Sequence, residues 1–383
     1  MDFALPDELR LLQETVREFV ADAVTPRAAE RDREAAFPAD ELRAAATLGL
    51  CGLMVPEEFG GNPVGSLGAV LVYEEVAAGS PALSVTLSVH NTLVCGAVAT
   101  YGRPELQAEL LPRLASGEIL GAYALTEPGA GSDAAALTTR ARRDGDHYVL
   151  DGRKIFVTHG DHAGLYIIFA VTDPEARTSR RISAFAVDRD TPGLTVPRRE
   201  HKLGLRASEI AEVTLTDCRV PATRLLGNEG DGFGIAMALL DGGRIGIGAQ
   251  AVGIARGAYD LARRYARERQ QFGRPIADFQ AIQWKLADMA TRIDAARLLV
   301  WRAATLRDQG QPHTLAASQA KLFASDTATF VTDQAVQIHG GYGYLEEYAV
   351  ERYFRDARAT VIYEGTSEIQ RLVIARRLLS DNQ

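Results

Sequence analysis

The sequence has few cysteines and no excess of positive charge. Its three cysteines, Cys51, Cys95 and Cys218, are far apart and odd in number. They form neither a disulfide framework nor a metal-ligand spacing, so we expect no metal site and a reducing compartment. The formal net charge of −8 argues against a nucleic-acid partner, which would need a basic face.

Long apolar runs are also scarce. Residues 80–100, which lie within the longest uncharged stretch, contain Ser, Thr, His90 and Asn91, and we interpret them as a buried helix rather than a membrane span. The N-terminus, residues 1–8, is acidic and lacks the basic start of a signal peptide. We therefore expect a cytoplasmic protein without a membrane span.

Three segments of different texture follow one another along the 383 residues. Residues 1–120 carry apolar residues at helical spacing, which predicts a helical bundle. Residues 121–228 contain short β-rich runs separated by the turn dipeptides Asp144-Gly145, Asp151-Gly152 and Pro192-Gly193, which predicts an antiparallel β domain. Helical periodicity returns in residues 229–383, with long helices expected at about 232–268, 280–309 and 314–338. The predicted class is an α+β multidomain protein, with ligands at the junctions between domains.

One carboxylate stands out in the last segment. Glu364 lies between an apolar run and a helix predicted to start with Ser367 as N-cap, with Gln370 three residues on as in a capping box. Apolar surroundings would raise the pKa of Glu364, and a helix N-terminus would lower it. Glu364 is thus either a general base whose strength the protein tunes or a surface glutamate in a loop.

Four further motifs each allow two interpretations. The Gly-rich loop at residues 123–133 could bring N–H groups to a phosphate or a flavin edge, or be purely structural. The strand at residues 154–160 could place an aromatic side chain against a ring or in the core. Residues 269–275 could bind a phosphate or cap a helix. Residues 337–344 have the glycines of a helix C-cap.

Together, and in this order, these motifs resemble those of the acyl-CoA dehydrogenase family over essentially the whole chain. The matching patterns are Tyr-x-x-Thr-Glu-Pro-x-x-Gly-Ser-Asp, Arg-x-x-Phe-Gly, Gln-x-x-Gly-Gly-x-Gly and Tyr-Glu-Gly-Thr. Residues 240–247, Leu-Asp-Gly-Gly-Arg-Ile-Gly-Ile, are most similar to short-chain and short/branched-chain members.

The resemblance implies FAD as the cofactor. The residues at the family's FAD-binding positions are Tyr123, Leu125, Thr126, Gly131, Ser132, Phe156, Thr158, Arg269, Gln271, Phe272, Gln280, Gln337, Gly340, Gly341, Thr366 and Glu368. In the family, the segments around Arg269 and Gln337 reach the FAD of a neighbouring subunit, which implies a homotetramer. The family often has tryptophan at the position of Phe156, so stacking on the flavin would differ in detail.

The resemblance also implies the substrate and the reaction. The residues at acyl-CoA-contacting positions are Ser132, Asp241, Arg244, Tyr363 and Gly365. Glu364 would remove the α proton of a short or branched acyl-CoA while the β hydrogen leaves as hydride to flavin N5, which gives the trans-2-enoyl-CoA of fatty-acid β-oxidation. An electron-transfer flavoprotein is the expected acceptor. Residues 82–94, similar to the family's acyl-pocket segment, contain no Lys or Arg, which predicts an uncharged acyl chain.

Two alternatives to this reaction stay open. One is an acyl-CoA oxidase or another flavin oxidoreductase of the same superfamily. The other is a non-catalytic acyl-CoA-binding protein that keeps the fold.

Overall fold

The N-terminal part of the chain is helical, as predicted. The computed structural model describes residues 4–380, so the first three residues of the acidic N-terminus lie outside the described residues. The helices of this part are α1 Asp7–Phe19, α2 Ala28–Arg33, α3 Ala39–Thr47, α4 Gly65–Gly79, α5 Pro81–Ser88, α6 Gly96–Tyr101 and α7 Pro104–Ala115.

Helices α5 and α6 are continuous through a π-helical segment, Val89–Cys95. By length and composition alone, Pro81–Tyr101 could cross a membrane, since its mean hydropathy reaches 1.4. In the structure 94% of that apolar window is buried in the protein interior. This burial is that of a core helix, which is how we interpreted the stretch from its sequence.

The middle part of the chain forms a sheet. Its strands are β1 Gly121–Ala124, β2 Arg140–Asp144, β3 His147–Thr158, β4 Leu165–Val171, β5 Ile182–Asp188, β6 Leu194–Arg199, β7 Ile210–Pro221 and β8 Leu225–Leu226. The strand order is β6-β7-β3-β2-β4-β5-β8, and β1 pairs with β4. Most neighbours are antiparallel, as predicted, but β1 and β2 both pair with β4 in parallel, so the sheet is mixed. The β2–β3 hairpin provides the long crossover that a parallel β1–β4 pair requires.

Two of the three turn dipeptides form turns. Gly145, with φ 64°, lies in the β2–β3 hairpin, and Gly193, with φ 92°, lies between β5 and β6. The turn predicted at Asp151-Gly152 is wrong, because both residues lie inside β3. A Cβ on Gly152 would lie 2.4 Å from Thr139 Oγ1, so this glycine permits close packing rather than a turn.

The C-terminal part is again helical, with α8 Gly232–Glu268, α9 Gln280–Asp308, α10 Thr314–His339, α11 Val350–Thr360 and α12 Ser367–Leu379, and a short hairpin, β9 Gln270–Gln271 and β10 Arg274–Pro275. The three long helices agree with the predicted bounds. Helix α11 was not predicted, because two of the side chains on its buried face are the charged Arg352 and Asp356.

Helix α8 connects the hydrophobic cores of the molecule. Its Ile245 and Val252 belong to the core shared with the other helices, and its Ile235 and Ile247 belong to the core shared with the sheet. A Cβ on Gly253 would lie 2.3 Å from the carbonyl oxygen of Glu74 on α4, so this glycine lets the two helices approach closely. The middle of α8 therefore lies where the helical and β parts meet.

Candidate active site

Glu364 lies in a strained turn between α11 and α12. Its φ is 51° and that of Gly365 is 92°, and the left-handed region is costly for a residue with a side chain. The side-chain amide of Gln370 holds the turn by donating to the carbonyl oxygens of Glu364 (3.2 Å) and Gly365 (3.0 Å). The surrounding contacts thus impose the conformation of Glu364.

The predicted N-cap of α12 is wrong by one residue. Thr366 is the N-cap, and its Oγ1 accepts a 3.3 Å hydrogen bond from the backbone N–H of Ile369. Ser367 is already helical. Gln370 does not complete a capping box, because its side chain donates to the two turn carbonyls instead.

Both carboxylate oxygens of Glu364 are buried, and neither has a hydrogen-bond partner among residues 4–380. Space for the carboxylate comes from Gly243 on α8, where a Cβ would lie 2.1 Å from Glu364 Oε2. Burial raises the pKa of Glu364 to about 7, and the nearby Lys321 and Arg244 oppose the rise. An unpaired carboxyl group that titrates near neutral pH has the properties of a general base.

The backbone N–H of Glu364 is also free of a hydrogen-bond partner within the described part of the chain. A free donor and a free acceptor therefore occur on the same residue. A buried carboxylate is normally paired, so these two free groups are suited to a ligand that carries both an oxygen acceptor and an acidic proton.

Charged and polar side chains of α8 and α10 extend the site. Arg244 donates a 2.6 Å hydrogen bond to Asp241, and the other Asp241 oxygen accepts one of 2.6 Å from Thr314. The hydroxyl of Tyr363 donates to the side-chain oxygen of Gln250. Arg244 is near enough to oppose the raised pKa of Glu364, and Asp241 is joined to these surroundings through Arg244. Tyr363 and Gly365 flank Glu364 in the chain. That this set contacts the substrate stays a prediction.

The Gly-rich loop starts beside this site. The hydroxyl of Tyr123, on β1, donates to the carbonyl oxygen of Ala236 on α8 at 3.4 Å, and its pKa is raised by burial and by the neighbouring Glu364. The backbone N–H of Ile155 donates to the Thr126 carbonyl oxygen at 2.9 Å. The loop and strand β3, two motifs that the sequence left independent, are therefore in contact.

A buried ion pair fixes that contact. Lys154 Nζ lies 2.7 Å from Glu127 Oε1 and 3.2 Å from the Leu125 carbonyl oxygen. The Glu127 carboxylate also accepts hydrogen bonds from the backbone N–H groups of Thr138 and Thr139. Burial disfavours its charge, but Lys154 and these donors outweigh burial and lower the pKa of Glu127 to about 2.

Beyond the ion pair of Lys154 and Glu127, parts of the Gly-rich loop and of strand β3 are exposed to solvent. Apart from its chain neighbours, no atom of the described residues lies within 4 Å of a Cβ built on Gly131, and Ser132 is exposed. Phe156 lies at a register shift of the β3–β7 pairing with φ 56° and is 61% exposed. Thr158, the last residue of β3, is half-buried. Backbone strain that exposes an aromatic ring points to a ligand or partner at this face.

A second group of predicted FAD-binding residues, here named the Arg269 group, lies away from the turn of Glu364. Arg269, Gln271, Gly340 and Gly341 line a cavity of about 430 Å³. The other members of this group are exposed, and none of them lines the cavity; they are Phe272, Gln280 and Gln337. In the described chain, no hydrogen bond, ion pair or ring contact joins this group to the turn of Glu364. Thr366 caps α12 beside Glu364, whereas Glu368 is exposed.

Three residues at the site were missed by sequence reasoning: Gly243, Gln370 as a donor to the turn, and Lys321. The only sequence signal for Lys321 is its spacing, because it falls four residues after Ala317 and three before Ala324 on the buried face of α10. Gly243 belongs to the motif at residues 240–247, but the motif assigned it no role, since its role depends on a carboxylate 121 positions away.

Family models match three consecutive parts of the chain. They are those of the acyl-CoA dehydrogenase N-terminal domain at residues 6–118, middle domain at residues 122–218 and C-terminal domain at residues 230–379. The chain therefore belongs to the acyl-CoA dehydrogenase family, and it is a flavin-dependent oxidoreductase.

Particular relatives are similar over most of their length. The chain is 49% identical to the acryloyl-CoA reductase (NADH) of Anaerotignum propionicum, over 99% of this chain and 96% of the relative. It is 46% identical to the mitochondrial short-chain specific acyl-CoA dehydrogenase of Rattus norvegicus, over 98% of this chain and 91% of the relative. A solved structure described as an electron transferring flavoprotein of Acidaminococcus fermentans matches with a TM-score of 0.98 and 44% identity, over 100% of both chains.

Proposed function

We propose that this chain removes two hydrogens from the α and β carbons of a short, uncharged acyl-CoA, with Glu364 as the base. The observation that carries the proposal is the pair of free groups on Glu364, a buried carboxylate and a backbone N–H, both without partners among residues 4–380. A thioester presents the two matching groups, a carbonyl oxygen and a proton on the adjacent carbon.

The residues fit the FAD that the family implies. A strained, exposed Phe156 and an open loop at Gly131 leave room for a ring. Tyr123, Leu125, Thr126, Ser132 and Thr158 would complete this flavin site. Within the group that lines the separate cavity, Arg269 is a cation suited to a phosphate. FAD, when bound, supplies the two-electron acceptor for the reaction.

The chain's own residues supply the acid–base chemistry. The Glu364 N–H would donate to the thioester carbonyl oxygen and stabilise the negative charge that develops there. One Glu364 carboxylate oxygen would take the α proton. Because burial already raises its pKa to about 7, the carboxylate is a stronger base than an exposed glutamate.

The acyl-pocket segment favours an uncharged chain. Residues 82–94 are all buried and contain no Lys or Arg. Ser84 and Thr86 donate to backbone carbonyl oxygens, so their hydroxyl protons are not available to a ligand. The segment itself offers a terminal carboxylate no cation, and burying an unpaired carboxylate is costly.

Anaerobic mixing of the yellow, FAD-bound protein with a panel of acyl-CoAs tests the proposal. We expect butyryl-CoA or isobutyryl-CoA to bleach the flavin faster than glutaryl-CoA does. Faster bleaching by glutaryl-CoA would refute the uncharged pocket. A colourless protein, or one that no acyl-CoA bleaches, would favour the non-catalytic alternative, and rapid reoxidation of the bleached protein in air would favour an oxidase.

A second candidate is the reverse direction, reduction of a 2-enoyl-CoA. It is favoured by the 49% identity to a protein named for that activity, acryloyl-CoA reductase (NADH). The same Glu364 would then return a proton to the α carbon, as microscopic reversibility requires. Turnover of acryloyl-CoA with NADH and an added electron-transferring flavoprotein, faster than acyl-CoA oxidation with the same partner, would establish it.

The proposal implies two kinds of protein partner, an electron acceptor and further copies of this chain. The match to a structure described as an electron transferring flavoprotein supports that class of protein as the electron acceptor. The separation of the Arg269 group from Glu364 supports a homotetramer, because in that arrangement one chain's Arg269 group would serve a neighbour's FAD. The domain boundaries at residues 120 and 228 stay predictions.

A further inference from the structure

A buried lysine lies behind the turn that carries Glu364. The side chain of Lys321, on α10, is 0% exposed, and its Nζ donates a 2.8 Å hydrogen bond to the carbonyl oxygen of Gly365. Among residues 4–380 it forms no ion pair within 4.0 Å. Lysine is almost never fully buried without an anionic partner, so this placement is costly.

The charge to which Lys321 is most strongly coupled is that of Glu364. Burial lowers the pKa of Lys321 to about 8, and the Glu364 carboxylate is the largest opposing influence. Lys321 is likewise the largest influence that opposes the raised pKa of Glu364. The other titratable groups facing this pair are Arg244 on α8, Tyr123 on β1, Tyr73 on α4, Tyr363 in the turn, Asp326 on α10 and Glu368 on α12.

We propose that Lys321 is a positioning residue for the base: its ammonium group holds the Gly365 carbonyl, which keeps Glu364 in its left-handed conformation, and stabilises the ionised Glu364 carboxylate. This inference rests on the proposed function, in which Glu364 is the base. It assigns Lys321 no contact with substrate or cofactor.

The turn should survive the removal of the ammonium group, so the positioning role can be tested apart from a purely structural one. Gln370 also donates to the Gly365 carbonyl oxygen, so the turn keeps one donor when the ammonium group is removed. Lys321→Met retains most of the apolar stem and its packing, and we expect it to fold. Lys321→Arg restores the positive charge with a different shape.

The pH dependence of flavin reduction distinguishes a positioning role of Lys321 from a purely structural one. The substrate is the acyl-CoA of the panel that bleaches the parent fastest. In Lys321→Met, the midpoint of kcat/KM against pH should move upward by about one pH unit, the lower end of the effect of a neighbouring opposite charge. At pH 7 this is a loss of about fivefold, since the ionised fraction falls from about one half at a pKa of about 7 to about one tenth when the pKa is about one unit higher. Lys321→Arg should partly restore the midpoint.

Lys285→Met is the matched control. Lys285 is a half-buried lysine whose Nζ donates to Gln334, and within the described part of the chain it makes no hydrogen bond or ion pair with the turn of Glu364. It should keep the parental midpoint. A parental midpoint in Lys321→Met would overturn the inference, even with a reduced rate.

A measurement without substrate makes the test independent of the reaction. In protein labelled with ¹³C at the glutamate carboxyl, the Glu364 signal is identified by its absence in Glu364→Gln. Its titration midpoint should be higher in Lys321→Met than in the parent, and equal midpoints would overturn the inference. If no acyl-CoA bleaches the parent, the proposed function fails while this titration still decides the role of Lys321.

Discussion

Replacing Gly243 with alanine should displace the base without unfolding the protein. A Cβ at this position would lie 2.1 Å from Glu364 Oε2 and 3.1 Å from Leu93 Cδ2. To regain van der Waals contact, the carboxylate oxygen must move by about 1 Å or more. A misplacement of about 1 Å can cost on the order of 10²-fold in rate.

The stability of Gly243→Ala, in contrast to its rate, should rise slightly or stay unchanged. The group that must move is the end of a flexible side chain, and alanine in a helix interior is favoured over glycine by about 0.5–1 kcal/mol. We therefore expect Gly243→Ala to keep the parental Tm or exceed it slightly, while anaerobic flavin reduction slows by about 10²-fold.

Gly234→Ala is the control for this prediction. Gly234 lies on the same helix, and among residues 4–380 no atom outside its chain neighbours and the adjoining helix backbone lies within 4 Å of a Cβ built there. Gly234→Ala should keep the parental rate, and its Tm should equal or slightly exceed that of the parent, as for alanine at Gly243. Parental flavin reduction in Gly243→Ala, measured by stopped-flow absorbance, would refute the placement of the carboxylate against α8.

Three further predictions follow from the site and its supports. Because the base must be ionised and its pKa is about 7, kcat/KM should rise between about pH 6 and pH 8 and then level off; a flat profile over that range would contradict this. If the Arg269 group serves a neighbour's FAD, light scattering of the yellow protein should give a multiple of 41.4 kDa, and a stable monomer with full FAD occupancy would exclude it. Glu127→Gln leaves Lys154 buried and unpaired, which should lower the free energy of unfolding in urea by about 3–5 kcal/mol; a loss below about 1 kcal/mol would show that the pair contributes little.

The sequence predicted those parts of the fold that local patterns determine. The bounds of α8 agreed with prediction because apolar spacing and flanking turn residues lie within the helix's own segment. The parallel pairing of β1 with β4 joins residues more than 40 positions apart, and strand periodicity carries no information about such a pairing.

In the site, too, local patterns were predictable from the sequence and contacts between distant segments were not. A lone glutamate before a helix pointed to Glu364, but Thr366 and Ser367 are adjacent and both are good N-cap residues. The strained turn that precedes them makes Thr366, rather than Ser367, the N-cap of α12. Gly243 and Lys321 acquire their roles only when α8 and α10 pack against that turn, so neither could be assigned from its own neighbourhood in the sequence.

The most direct test of the central claim is anaerobic flavin reduction by Glu364→Gln. Glutamine is nearly isosteric and keeps the backbone N–H, so the variant should fold, remain yellow and bind an acyl-CoA. Loss of the base should slow flavin bleaching by at least about 10²–10⁴-fold, the usual contribution of a general base. Bleaching at the parental rate in Glu364→Gln would show that another group takes the proton.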